Sequence, residues 1–204
     1  MERRTELLRA AARVYAKYGY RGSTTRRIAD EAGVNEVTIF RQFGSKDALM
    51  QAAIATCGGS DEVEDLPVVP IDPVAELTTW CGAVMAQMRE MRELIRRCMS
   101  ERNEHPELSA SSNSPAPRAA VQLRNYLQRL HGAGFVDAEF DVKGATAMLM
   151  GALFSDAMGR DVMPDVFPST PAGVSAVYAK LLLRAIGAIG VNYSPSLHEH
   201  TSLA

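Results

Sequence analysis

The chain has 204 residues, 47% of them apolar and 23% charged, with a formal net charge of −2. These values describe an ordinary soluble globular protein with enough apolar content to bury a core. No apolar run of about 18 residues exists to span a membrane, the charged opening MERRTELLRA is no signal peptide, and three cysteines without a CxxC pair suit a reduced, cytoplasmic setting.

In chain order, nearly every apolar segment repeats at three and four residues, which predicts an all-α protein without convincing strands. Leu7, Ala11, Val14, Tyr15 and Tyr18 form the first helix face, and Gly19 is placed to end that helix. The next 26 residues, Thr24 to Leu49, contain three capping signals. Thr24 and Thr25 cap a helix from about Arg26 to Ala32, Gly33 turns the chain, Asn35 caps a second helix to about Phe43, and Ser45 caps a third from Lys46. Two short helices joined by a glycine-containing turn are a helix-turn-helix, with Ile28, Ala29, Ala32, Val34, Ile39 and Phe43 as its small core.

That core directs Glu36, Val37, Thr38, Arg41 and Gln42 outward. A helix of this size fits the major groove, where its N-terminal residues reach base edges. Arg41 and Gln42 are hydrogen-bonders to bases or phosphates, Val37 suits a thymine methyl, and Glu36 repels phosphates but accepts from a cytosine amino group. Lys46 opposes the dipole of the helix it starts, unless a phosphate lies beside it; the alternative is a solvated lysine. Charge agrees with a nucleic-acid-binding head: residues 1–56 hold ten Lys/Arg against six Asp/Glu, and residues 57–204 hold twelve against eighteen.

Beyond the head, residues 58–73 are rich in Gly, Pro and acid and mark a boundary, which divides the chain into 1–56 and 70–192. Val74, Leu77, Cys81, Val84, Met85, Met88 and Met91 form a helix face within one segment from Val74 to Met99. Residues 103–117 are expected as a loop. Val121, Leu123, Tyr126, Leu127 and Leu130 form the next face, stopped at residues 131–134. Ala145–Met158 and Val174–Ile189 are apolar over most of their circumference, and residues 161–173 form a loop between them.

Gly19, Gly22, Thr24-Thr25, Ile28-Ala29, Ala32-Gly33-Val34, Thr38-Ile39-Phe40, Phe43, Lys46 and Leu49 resemble the signature of the TetR family over about residues 3–55. The resemblance implies a homodimeric transcriptional regulator, usually a repressor, that leaves a near-palindromic operator when a small molecule binds. It places DNA contacts on Thr25, Arg26, Asn35, Glu36, Val37, Thr38, Phe40, Arg41, Gln42 and Lys46. Phe40 stands where the family commonly has a tyrosine, so a phosphate-seeking hydroxyl is missing there. Gln42 stands where a histidine is common.

The resemblance also implies an effector pocket between the middle helices. Trp80, Met85, Met88, Met91, Leu94 and Cys98 are candidates from the Val74–Met99 segment, and Tyr126, Met148, Met150 and Phe154 from the helices that follow. Methionine adapts to varied apolar ligands, although a methionine stripe also serves as plain core. Gln87, Arg92, Gln122, Asn125 and Asp156 are candidate polar anchors. The last two helices, at about Asp141–Arg160 and Pro171–Gly190, resemble the pair that forms a four-helix bundle with a second copy. Ala145, Leu149, Ala152, Val174, Tyr178, Leu181, Leu182 and Ala185 are the candidate interface residues.

No catalytic residues, metal ligands or cofactor are expected. The four histidines are scattered, and His198 and His200 read as part of a polar tail. Two alternatives stay open: a constitutive DNA binder without a ligand, and a redox sensor working through Cys81 or Cys98.

Overall fold

The structure is a computed structural model that describes residues 2–57, 63–108, 115–136, 139–168 and 173–188. In order, its helices are α1 (Glu2–Gly22), α2 (Thr25–Ala32), α3 (Glu36–Phe43), α4 (Lys46–Cys57), α5 (Pro73–Glu90), α6 (Arg92–Ser100), α7 (Pro115–Gly132), α8 (Val142–Gly159) and α9 (Val174–Ala185). Apart from a single bridge between Val136 and Ala188, the described residues hold no β structure. No helix among them is long and apolar enough to cross a membrane.

Local chemistry sets the short helices. The Thr24 side chain accepts from Arg27 N at 3.2 Å, the Asn35 side chain from Val37 N at 2.9 Å, and the Ser45 hydroxyl from Ala48 N at 3.1 Å. Each bond satisfies one backbone N–H that the first helical turn leaves unpaired. Gly33 takes φ 64°, ψ 34°, so the chain reverses and Val34 N reaches back to Ala29 O at 3.0 Å. Asp72 caps α5 in the same way, with Pro73 at the first helical position, where its missing N–H costs nothing.

Two apolar clusters form. The first gathers Leu7, Ala11 and Tyr15 of α1 with Ile28 and Ala29, Ile39, and Leu49, Met50 and Ala53 of α4. Leu94 of α6 and Leu108 complete it, with Met91 and Cys98 against it. The second joins α5, α7, α8 and α9 around Leu77, Trp80, Met85, Leu123, Tyr126, Leu153 and Leu183. α6 therefore leans on α1, while α5 stays in the second cluster.

The structure departs from the sequence reading in several places, among them Val121, which is 43% exposed rather than part of an apolar face. The helical path of α1 breaks at Gly19, as expected, where φ is 68° and ψ −178°, but a further turn follows the kink and carries α1 to Gly22. Tyr18 is 44% exposed rather than part of the apolar face, and stands under the Arg27 guanidinium, 4.2 Å from its ring centroid. Val74–Met99 is two helices: Met91, at φ −91°, ψ 8°, separates α5 from α6. α7 begins at Pro115, within the stretch read as a loop. The final helix is shorter than residues 171–190 and occupies Val174–Ala185; residues 171, 172, 189 and 190 lie outside the described residues, as does the tail with His198 and His200.

Candidate nucleic-acid interface

Ile28, Ala29 and Ile39 are buried, so α2 and α3 are fixed to each other and to α1. The opposite side of α3 faces solvent. Val37 is 69% exposed and Phe40 49%, and Arg41 and Gln42 are exposed beside them. Arg26 and Asn35 are exposed at the neighbouring helix starts; Thr25, Glu36, Thr38 and Lys46 are half-buried. Phe40 and Val37 are large apolar groups left in water on a small helix that is otherwise polar outward.

Two of these residues are bonded within the protein. The Thr25 hydroxyl donates to Glu36 Oε1 at 2.5 Å, which ties the first residue of α2 to the first of α3. Among the described residues, no lysine or arginine pairs with Glu36. Lys46 donates from Nζ to the carbonyl of Tyr20 at 2.5 Å and lies 3.9 Å from the centroid of its ring. Burial holds the Lys46 ammonium below the usual lysine range, against the opposing pull of Asp47 and Glu101. Lys46 thus caps the end of α1 from the start of α4.

Tyr20 and Arg27 escaped the sequence reading. Tyr20 bonds α4 on one side and α6 on the other: its hydroxyl donates to Asp47, and its backbone N–H donates to Glu101 Oε2 at 2.9 Å. Arg27 donates to the Gly22 carbonyl at 2.5 Å. A tyrosine between two glycines, Gly19 and Gly22, was the available signal, because the glycines free the backbone around it to be read by other helices.

The candidate pocket residues divide between the two clusters. Trp80, Met85, Met88 and Tyr126 are buried in the second, with Met150 and Phe154 half-buried against it. Met91, Leu94 and Cys98 lie with the first. Met148 is 52% exposed. Two polar groups of the second cluster are bonded internally: Trp80 Nε1 donates to Gln122 Oε1 at 3.2 Å, and the Tyr126 hydroxyl donates to Glu76.

Asp156 is fully buried among three donors. Arg89 reaches Oδ1 at 3.0 Å, Arg160 Nε reaches Oδ1 at 2.8 Å, and the Tyr178 hydroxyl reaches Oδ2 at 2.9 Å. Burial pushes its carboxyl up, but the bonds from Arg160, Tyr178 and Arg89 outweigh this and hold it below the usual carboxylate range.

Of the candidate interface residues, Ala145, Leu149, Val174 and Leu182 are buried within the chain, and Ala152 and Tyr178 are half-buried. Leu181, 55% exposed, and Ala185, one turn later, face outward.

The described residues thus form a packed helix-turn-helix at the start and a separate helical cluster behind it. Residues 7–53 match the family model of bacterial regulatory proteins of the tetR family. Through this segment the chain is similar to the TetR family. It is 45% identical over 49 residues to the HTH-type transcriptional regulator YvkB of Bacillus subtilis, covering 24% of this chain and 26% of that protein. It is 41% identical over 49 residues to the HTH-type transcriptional repressor AcnR of Corynebacterium efficiens, with the same coverage. The match thus spans about a quarter of the length of these relatives. A solved TetR-family chain from Mesorhizobium loti superposes with a TM-score of 0.73 at 18% identity, covering 92% of this chain and 98% of that one, which extends the likeness in fold to the second cluster.

Proposed function

We propose that this chain is a homodimeric transcriptional repressor that binds a near-palindromic operator and leaves it when a small, apolar molecule binds. It acts in the cytoplasm, as two units, 1–56 and 70–192, joined through α6. The observation that carries this reading is the solvent-facing side of α3, with Val37, Phe40, Arg41 and Gln42 exposed over a core closed by Ile28, Ala29 and Ile39. A helix presented this way enters a major groove with its side chains at the base edges. Arg26 and Asn35 extend the contact from the adjacent helix starts, and Thr25, Thr38 and Lys46 flank it.

The match of this segment to a relative named as a repressor supports repression. A second copy, joined through the exposed faces of α8 and α9, sets two such helices one DNA turn apart, about 34–36 Å. The apolar cluster around Trp80, Met85, Met88 and Tyr126, lined by Met150 and Phe154, is the candidate effector site. An effector bound there releases DNA by favouring a different spacing of the two heads, and by linkage DNA weakens effector binding by the same factor.

The test is binding of the purified protein to fragments of its own genome at low salt, with affinity followed as salt rises. Repression of this kind requires retained fragments and a steep linear fall of log affinity with log salt. Indifference to every fragment at low salt refutes the reading. Where DNA is bound, a thermal-shift screen of lipophilic compounds, with and without the retained fragment, separates a ligand-released repressor from a constitutive binder.

A further inference from the structure

Glu36 is the only acid in α3, on a helix offered here to a polyanion. Its place at the first helical position favours it locally, because the unpaired N–H groups of that turn carry partial positive charge. That explains why a carboxylate is tolerated but not why it is clamped. The Thr25 hydroxyl, from another helix, donates to Oε1 at 2.5 Å, and among the described residues no lysine or arginine pairs with the group. A flexible side chain is thereby held at one point, half-buried where the starts of α2 and α3 meet, and Oε2 keeps its acceptor positions outside that bond.

A carboxylate accepts hydrogen bonds and donates none. In the major groove, guanine presents two acceptors at N7 and O6, and thymine presents the O4 acceptor and a methyl group. All of these repel a carboxylate or leave it dry. Adenine presents a donor at N6 beside an acceptor at N7, so an approaching carboxylate meets one attraction and one repulsion. Cytosine presents the N4 amino donor without an adjacent purine N7 on its own edge. We propose that the Thr25–Glu36 pair is a specificity element that selects cytosine at one position of each operator half-site. Glu36 reads the base and Thr25 acts as the positioning residue that holds it. This rests on the DNA-binding reading above and adds which base is chosen and by what.

The charge has a second consequence. Because Glu36 repels phosphates wherever no amino group compensates, it lowers affinity for unrelated sequence more than for the operator.

The experiment is selection from a library of random duplexes by the full-length wild type, Glu36→Gln, Thr25→Val and Thr25→Ser, followed by affinity measurements on the selected sites. The wild type is expected to fix cytosine at one position per half-site. Glu36→Gln is expected to exchange that preference for adenine, which glutamine meets at both N6 and N7, with a change in discrimination of about tenfold or more, and to bind unrelated DNA more tightly. Thr25→Val is expected to keep the same base but discriminate less, and Thr25→Ser to restore discrimination. Selection of the same consensus by wild type and Glu36→Gln overturns the proposal while leaving DNA binding intact. Undiminished discrimination in Thr25→Val overturns the positioning role. Absence of any enrichment by the wild type overturns the DNA-binding reading itself.

Discussion

Glu101, at the end of α6, accepts the backbone N–H of Tyr20 at 2.9 Å, across 81 positions of sequence. The kink at Gly19 makes this possible, since it turns the last residues of α1 toward α6. Arg97 supports the contact from the same helix, 3.7 Å from Glu101 and donating to the Ala16 carbonyl at 3.4 Å. A Cβ added at Gly19 would lie 2.2 Å from Glu101 Oε1, in a backbone region that only glycine occupies freely. Gly19→Ala is therefore expected to cost about 2 kcal/mol. Glu101→Ala removes the clashing carboxylate together with the bond to Tyr20, so the double variant should lose less than the two single losses combined. Urea denaturation of the four proteins checks this; strictly additive losses would show that residues 19 and 101 do not meet.

Lys46 is expected to have two measurable roles. Its ammonium holds the Tyr20 carbonyl, so Lys46→Ala should reduce stability by about 1 kcal/mol. Its charge also stands at the start of α4 beside the proposed DNA face, so the same variant should weaken all sequences alike and lower the salt slope by about one. An unchanged slope, with stability still reduced, assigns Lys46 to the α1–α4 junction alone.

How much of this was readable beforehand depends on how far apart the deciding residues lie. Thr24, Gly33, Asn35 and Ser45 act on neighbours within two to five positions, so the helix-turn-helix and the exposure of Val37, Arg41 and Gln42 were legible from spacing, whereas Glu36 and Thr38, read as outward, are half-buried. The turn that follows the break at Gly19 was not, because Glu101 holds it from a distant helix. Nor was the break at Met91, which has neither glycine nor proline to announce it. Leu94 and Cys98 look like any apolar pair in a body helix; only the tertiary fold sends them to the first cluster. Apolar periodicity likewise cannot tell Leu182, buried in its own chain, from Leu181, which is exposed.

Asp156 gives the structure a predictable acid response. Its folded carboxyl titrates below the usual range, after burial is outweighed by Arg160, Tyr178 and Arg89. A depressed carboxylate contributes stability above the unfolded value near pH 4, about 3.9, and loses it as pH falls through the folded value. Asp156→Asn should thus be less stable than the wild type at neutral pH by about 3 kcal/mol, since it leaves two arginines without their buried partner. The gap should narrow as pH drops below about 4. A pH series of denaturation midpoints measures it, and a constant gap down to acid would exclude the ion cluster as its source.

The cysteines bear on the thiol-sensor alternative. Burial pushes the Cys81 thiol up to about 12, and it also raises that of Cys98, partly offset by the hydrogen bond from Tyr15. Thiolate is the reactive form, so both should react slowly at neutral pH. Cys81→Ser and Cys98→Ser, tested singly, should keep DNA release by the effector and leave the protein no less sensitive to peroxide. Loss of a peroxide response in either variant would restore the sensor reading.

The surface proposed for the second copy can be tested by two adjacent leucines with opposite environments. Leu181 is 55% exposed on α9, and Met148 is 52% exposed on α8, next to the small exposed residues Ala147 and Gly151. Leu182 points inward and is buried. If the exposed face meets a second copy, Leu181→Glu places a charge in an apolar interface on both sides of the symmetry axis, so its effect is doubled. Sedimentation equilibrium should then show a folded monomer with unchanged helical circular dichroism, and operator affinity should fall because two linked half-site contacts become one. Leu182→Ala should do the reverse: the dimer persists while stability falls by about 3 kcal/mol, as expected for a cavity within one chain. A Leu181→Glu protein that remains dimeric would move the interface off this face of α8 and α9, and the spacing argument for a near-palindromic operator would need another surface to stand on.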